Sequence, residues 1–356
     1  MFSDSDRRAV VRAAKCFHTI SGYDTLLAMA ALAGLKRLQD AFDEHIKLVR
    51  DVSAGQPSGI ALFWVPAEFR GDFTTAAQVQ AACLALEAEN PTLKESLTVL
   101  WPGASDSEVA AAWAHVKGLD WTTVALLRRT RATLSSGSPQ NAPPIFTPYS
   151  IDVVGETYEM LKHELGVQTG AQRGEFFTPE PVGALMAALV APEAKDREIG
   201  SSVLDPCCGS GRFLVLAAAQ AIERYGLFVQ QTGPGHPQGA GRRLVVPPPR
   251  VFVGQDIAAH GPAMGRISMT ALGYLNAVFV VRNSLTEPVT WEEADGIVAA
   301  RGEALLALQS GHLVTDDVRG RAVVSTPPLD VGPVSKPSKK PASRKASGHD
   351  ASLMSF

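Results

Sequence analysis

The chain has 356 residues, 46% of them hydrophobic, and a formal net charge of −3; that is enough to bury a sizeable core and, on length alone, to form two domains. This balance excludes a wholly disordered chain and gives no global basic signature for nucleic acid, so local patches must carry any such contact. The longest apolar stretches, 26–35 and 213–219, are too short to span a bilayer, and the acidic N-terminus lacks the apolar segment and cleavage site of a secretory leader, so no membrane span and a cytoplasmic location are expected.

Apolar residues recur at three- and four-residue intervals over 23–49, 75–88 and 107–116, which predicts helices and makes the first 135 or so residues mostly helical. Residues 54–59, the Pro-containing stretch 64–71 and Asn90-Pro91 interrupt them as loop signals. Over 135–148 the composition shifts to Ser, Gly, Asn and Pro, which favours turns over packed helix, so a helical N-terminal domain is expected to span 1–146.

Strand and helix alternate after that boundary. A strand is predicted at 202–204, a helix at 212–224, a second strand at 250–253, a helix at 261–275 and a third strand at 277–281. A further helix at 291–310 precedes a fourth strand at 321–324. The alternation argues for an α/β core over 147–330 with a parallel sheet and crossover helices. A Gly- and Pro-dense segment near 228–250 reads as a long surface insertion. From 331 to 356 the chain is rich in Pro, Ser and Lys and reads as a disordered basic tail. Lys336, Lys339, Lys340, Arg344 and Lys345 precede any acid there, which suits either phosphate contact or plain solubilisation.

Cys16, Cys83, Cys207 and Cys208 show no C-x-x-C spacing, and the eight histidines fall in no ligand grouping, so reduced thiols and no metal are expected. The informative motif is Val203-Leu204-Asp205-Pro206-Cys207-Cys208-Gly209-Ser210-Gly211-Arg212-Phe213-Leu214. It places an acid at a strand's carboxyl end, then two glycines, then a helix. Gly209 and Gly211 let backbone approach a ligand, and the helix offers free amides at its start. The dinucleotide fingerprint needs a third glycine where Leu214 stands, so NAD and FAD are disfavoured. Asp205 would repel a pyrophosphate, whereas S-adenosylmethionine (SAM) presents a cationic amino group that a carboxylate can bind. Taken alone, such a loop could also be a simple strand-to-helix turn. Past the next strand, Gly254-Gln255-Asp256-Ile257 puts a second carboxylate where ribose hydroxyls could be held.

Together with Arg173-Gly174-Glu175-Phe176-Phe177-Thr178-Pro179 upstream, these segments resemble, in order and spacing, the modification subunits of type I restriction systems, a family of N6-adenine DNA methyltransferases. The resemblance extends upstream through Asp152-Val153-Val154-Gly155-Glu156-Thr157-Tyr158-Glu159-Met160-Leu161 and runs to about Leu285. It implies a Rossmann-like SAM-dependent methyltransferase core, double-stranded DNA as substrate and a specificity subunit or other restriction-modification partner. It assigns Glu175, Phe176, Thr178, Asp205, Gly209, Gly211 and Asp256 to SAM. Asn283, in Arg282-Asn283-Ser284-Leu285, stands where the family has an acid and could meet the cofactor's adenine.

The catalytic motif departs from the family. Polarising adenine's exocyclic amine calls for an Asn or Asp carbonyl and a stacking aromatic, in the pattern Asn-Pro-Pro-Phe or Asp-Pro-Pro-Tyr. The matching stretch here is Thr326-Pro327-Pro328-Leu329, after the fourth strand. Threonine cannot reproduce the planar carbonyl, a loss worth about 3 kcal/mol by analogy with other preorganised contacts, and leucine has no ring face for a flipped base. The stretch is equally readable as a Pro-rich strand exit. About four strands can be placed, so the sheet is incomplete or finished by a partner chain. Two functions therefore stand: an adenine-N6 methyltransferase subunit, and an inactive SAM- or DNA-binding relative acting through a partner.

Overall fold

The computed structural model describes residues 2–52, 59–60, 63–123, 125–126, 151–167, 178, 180–190, 202–225, 228–232, 241–245, 251–311, 313–316 and 322–325. The expected boundary stretch 135–148, the tail 331–356, Glu175, Phe176 and the segment from Thr326 to Leu329 lie outside the described residues.

Helices dominate the N-terminal part, and side-chain caps explain where several begin. α1 (Asp4–Ala14) starts after Ser3, whose hydroxyl accepts from the Asp6 amide at 3.1 Å. α2 (Gly22–Val52) is the long helix expected from the apolar periodicity. A two-residue strand, β1 (Gly59–Ile60), follows. α3 (Ala76–Glu89) and α5 (Asp106–Val116) each open with a capping box, Thr75 with Gln78 and Ser105 with Glu108; the short α4 (Leu97–Leu100) lies between them. Glu108 does more than cap, since it also accepts from the amides of His18 and Thr19 and from the Thr19 hydroxyl, tying the α1–α2 link to α5. These hydrogen bonds pull its carboxyl well below the usual range against the opposing effect of burial.

Past residue 150 come α6 (Val153–Glu164), capped by Asp152, and α7 (Glu180–Val190). β2 (Ser202–Asp205) leads into α8 (Arg212–Tyr225), and β5 (Val251–Asp256), α9 (His260–Ala271) and β6 (Ala277–Val281) follow in the expected alternation. β2, β5 and β6 form a parallel sheet in that order, with Asp205 opposite Gly254 and Asp256 opposite Val281. All three strands thus end on the same side. α10 (Trp291–Gly311) packs on one face through Val251, Val253, Val278 and Ala294. On the other, Phe252 and Phe279 join a large apolar cluster that contains Leu214 of α8, Ile267 of α9 and Leu32, Leu35 and Leu38 of α2. The molecule is therefore a helix-rich mixed structure around a small parallel sheet.

Two expectations need correction. The segment near 228–250 is not simply a surface insertion, because β3 (Phe228–Thr232) and β4 (Gly241–Val245) pair antiparallel within it. Its β-prone ends form strands, and the Gly- and Pro-dense composition falls between and after them. The fourth strand exists as β8 (Ala322–Ser325), but it pairs antiparallel with β7 (Leu313–Asp316) in a second sheet ordered β3-β4-β1-β7-β8, apart from the parallel one. A short apolar run fixes that a strand forms, not which edge it joins. Among the described residues no helix is long and apolar enough to cross a membrane.

Candidate functional site

The site is built at the carboxyl end of the parallel sheet, where open α/β sheets receive ligands. β2 delivers Asp205, and the chain then turns through Cys207 to Gly211 into α8. Gly209 and Gly211 have φ of 49° and 79°, a region that suits glycine. At Gly211 a Cβ would also stand 2.9 Å from the Phe279 ring, so side-chain space is closed there as well.

Backbone hydrogen bonds bind this loop to β5. The Cys208 amide donates to the Gln255 carbonyl at 2.9 Å, and the Gly211 amide donates to the Cys208 carbonyl at 2.7 Å. Asp256, at the end of β5, accepts from the Gly209 amide through Oδ2 at 2.9 Å and from the Ala258 amide through Oδ1 at 2.9 Å. The second carboxylate therefore shapes the loop directly. Each of its oxygens keeps a further lone pair with which to accept from a ligand. The start of α9 presses on the same loop, since a Cβ on Gly261 would lie 2.4 Å from the Gly209 carbonyl oxygen.

Asp205 is the electrostatically unusual member. One of its oxygens accepts from the Cys207 amide at 3.1 Å, while Oδ2 is buried with no hydrogen-bond partner among the described residues. Burial pushes its carboxyl above the ordinary range, the Cys207 amide opposes that, and the nearby Asp256 carboxylate adds to it. A buried carboxylate oxygen without a donor is costly unless a ligand supplies one.

Of the residues singled out in the sequence, Asp205, Gly209, Gly211 and Asp256 come together. Asn283 stands on the same rim: the amide of Arg282 donates to the Asp256 carbonyl at 2.9 Å, and Ser284 Oγ lies 3.9 Å from Cys207 Sγ. Asn283 itself is exposed, and its side-chain oxygen accepts from the Leu285 amide at 3.0 Å, so it shapes its own turn. Thr178 is half-buried just before α7.

Sequence reasoning missed four contributors. Gln255 is buried and holds the loop before α10, donating to the Glu287 carbonyl at 2.7 Å and accepting from the Val289 amide at 2.9 Å. A lone polar residue inside Val251-Phe252-Val253-Gly254-Gln255 was the available signal. Ile257 and Leu285, 72% and 93% exposed, add apolar surface to the strand ends; their positions directly after Asp256 and Ser284 were the only clue. The fourth is Arg212, the first residue of α8, whose side chain is almost fully buried among carboxylates of α6.

Residues 149–299 match the family model described as N-6 DNA Methylase. Within a stretch of 70 residues the chain is 41% identical to the type I restriction enzyme MjaVIII methylase subunit of Methanocaldococcus jannaschii, covering 20% of this chain and 11% of that protein. Over 71 residues it is 34% identical to the type I restriction enzyme EcoEI methylase subunit of Escherichia coli, covering 20% of this chain and 13% of that protein. These alignments thus take in only a small part of either relative. Among solved structures, the methyltransferase subunit of a type I restriction-modification system from Streptococcus thermophilus aligns with a TM-score of 0.44 and 17% identity, over 82% of this chain and 61% of that one. Over residues 149–299, which carry the whole loop, this protein is similar to the N-6 DNA methylases, and the relatives that it matches over 70 and 71 residues are methylase subunits of type I restriction enzymes.

Proposed function

We propose that the protein binds SAM at the carboxyl ends of β2, β5 and β6 through a Rossmann-like methyltransferase core, and that it serves adenine-N6 methylation of double-stranded DNA as a type I modification-subunit-like chain beside a specificity subunit. The observation that carries the cofactor half is Asp205 Oδ2, buried beside the glycine loop and lacking a donor among the described residues. A cationic ammonium would satisfy it, whereas a phosphate would not. In this reading Gly209 and Gly211 give the ligand close access to backbone, Asp256 fixes the loop and accepts from ribose hydroxyls, and Ile257 and Leu285 flank the base. Asn283, Thr178, Glu175 and Phe176 complete the set by resemblance to the family. Bound SAM would supply the electrophilic methyl group.

Calorimetric titration with SAM tests this. Wild type is expected to bind, and Asp205→Ala to bind about tenfold or more weakly, as removal of a charge-assisted contact predicts. Absence of wild-type binding at millimolar SAM overturns the cofactor reading, and unchanged affinity in the variant overturns the role of Asp205.

A second reading, a SAM-binding relative without turnover, is favoured by one sequence observation: Thr326 and Leu329 stand where the family has a carboxamide and an aromatic. Methyl transfer from labelled SAM to adenine-containing DNA separates the two. Under the second reading wild type binds SAM but transfers no label, and Thr326→Asn with Leu329→Phe raises transfer. Robust wild-type transfer that the double change lowers rejects it.

A further inference from the structure

Arg212 is oddly placed for a cation. It opens α8 directly behind Gly211, where the helix dipole opposes positive charge. Its side chain is nonetheless only 10% exposed. Three carboxylates enclose it: Glu159 at 2.6 Å, Glu156 at 3.0 Å and Asp152 at 3.7 Å. All three come from one helix, Asp152 as the cap of α6 and Glu156 and Glu159 four and seven residues further on, the spacing that aligns side chains on a single face. Asp152 is itself fixed, because its Oδ1 accepts from the Gly155 amide at 3.1 Å and from the Ser268 hydroxyl of α9 at 2.9 Å. Arg212 thus pins the start of α8 to both α6 and α9.

The loop ahead of it needs such an anchor. Gly209 and Gly211, both at positive φ, flank Ser210 and contribute no side chains of their own. The front of the loop is held by Asp256 through the Gly209 amide. Ser210 is buried, but its hydroxyl has no hydrogen-bond partner among the described residues. Beyond the Gly211 amide's bond to the Cys208 carbonyl, the side chain that anchors the rear is the guanidinium one residue past Gly211. A planar fork can engage several carboxylates at once in a defined orientation, which a point charge cannot do as well.

Resting on the SAM reading above, we propose that Arg212 is a positioning residue for that cofactor: clamped by Asp152, Glu156 and Glu159, it holds the 209–211 backbone in its ligand-receiving shape without touching the ligand. Its guanidinium is consumed by carboxylates, so it offers no phosphate site. A loop displaced by about 1 Å is enough to cost a large factor in function.

The test pairs SAM titration with amide hydrogen exchange on the full chain, for wild type, Arg212→Lys and Arg212→Met. Arg212→Met should bind SAM about tenfold or more weakly and speed exchange over 206–211 about tenfold, with β5 and β6 amides unchanged; Arg212→Lys should recover most of both, within about threefold of wild type. Wild-type affinity and wild-type loop exchange in Arg212→Met overturn the proposal. So does acceleration spread equally over β5 and β6, which marks a general structural role. If Arg212→Met does not fold, Glu159→Gln takes its place: it removes the nearest partner and should move affinity and loop exchange in the same direction by about threefold. No change in either measure then overturns the proposal. If wild type fails to bind SAM, the cofactor reading falls, while loop exchange still decides whether Arg212 anchors the loop.

Discussion

Single residues show both how far sequence reading reaches and where it stops. Asp205 and Asp256 are legible as strand-end acids because each closes a short apolar stretch, Asp205 directly before a glycine turn. What Asp256 does was not, since its bonds to the Gly209 and Ala258 amides depend on how two distant segments meet. Arg212 was visible as a letter in the motif but not as a clamp, because its partners lie more than fifty residues upstream. Buried His45 on α2 illustrates a residue with no motif at all. Burial, followed by the charge of Arg37, lowers its pKa to about 3. The unfolded chain takes up that proton near pH 6.5 while the folded chain refuses it until far lower. Folding stability therefore falls as pH drops from about 6.5, with a limiting slope of about 1.4 kcal/mol per pH unit from this one group. Urea unfolding between pH 4.5 and 7 should show that slope, and His45→Gln should remove it. An identical slope in the variant would contradict the assignment.

Among elements, several helices were read almost to their ends: α3 and α5, each opened by a capping box, and α8 fall within a residue or so of expectation. The strands β2 and β6 were equally clear because they alternate with helices, whereas β5 runs on to Asp256, three residues beyond the expected end at 253, so that Gly254 and Gln255 lie within the strand. α6 was not predicted as a helix, although Asp152 is a good cap, because its buried face includes Gly155 and Thr157 beside the apolar positions and the periodicity is blurred. The hairpin β3–β4 was hidden by the Gly- and Pro-rich composition between its strands. β8 was found but assigned to the wrong sheet. Pairing is a tertiary choice, and Ala322-Val323-Val324-Ser325 carries no mark of its partner. This matters for the site, since β8 leads into Thr326 and pairs with β7, not with β2, β5 or β6.

At the scale of the whole molecule, composition divides the chain near 135–148, yet the apolar core crosses that division. Val10 of α1, Leu32 of α2, Trp113 of α5, Tyr158 of α6 and Phe279 of β6 belong to one buried cluster. α2 reaches α9 through close packing at Gly34, where a Cβ would meet Ile267 at 3.2 and 3.3 Å and Leu97 at 3.4 Å. The N-terminal helices thus brace the far side of α9, whose first turn presses on the Gly209 carbonyl. Two consequences follow from a shared core. Calorimetric unfolding of the described body should be a single cooperative transition, because neither part can keep its buried face covered when the other melts. A wedge at the contact should destabilise the whole: Gly34→Val overpacks α2 against α9 and is expected to cost about 1–3 kcal/mol, lowering the one transition without splitting it. Scanning calorimetry on wild type and variant checks both. Two separate transitions in wild type, or a variant in which only one of two transitions moves, would mean that the N-terminal helices and the parallel sheet fold as independent bodies despite their common cluster.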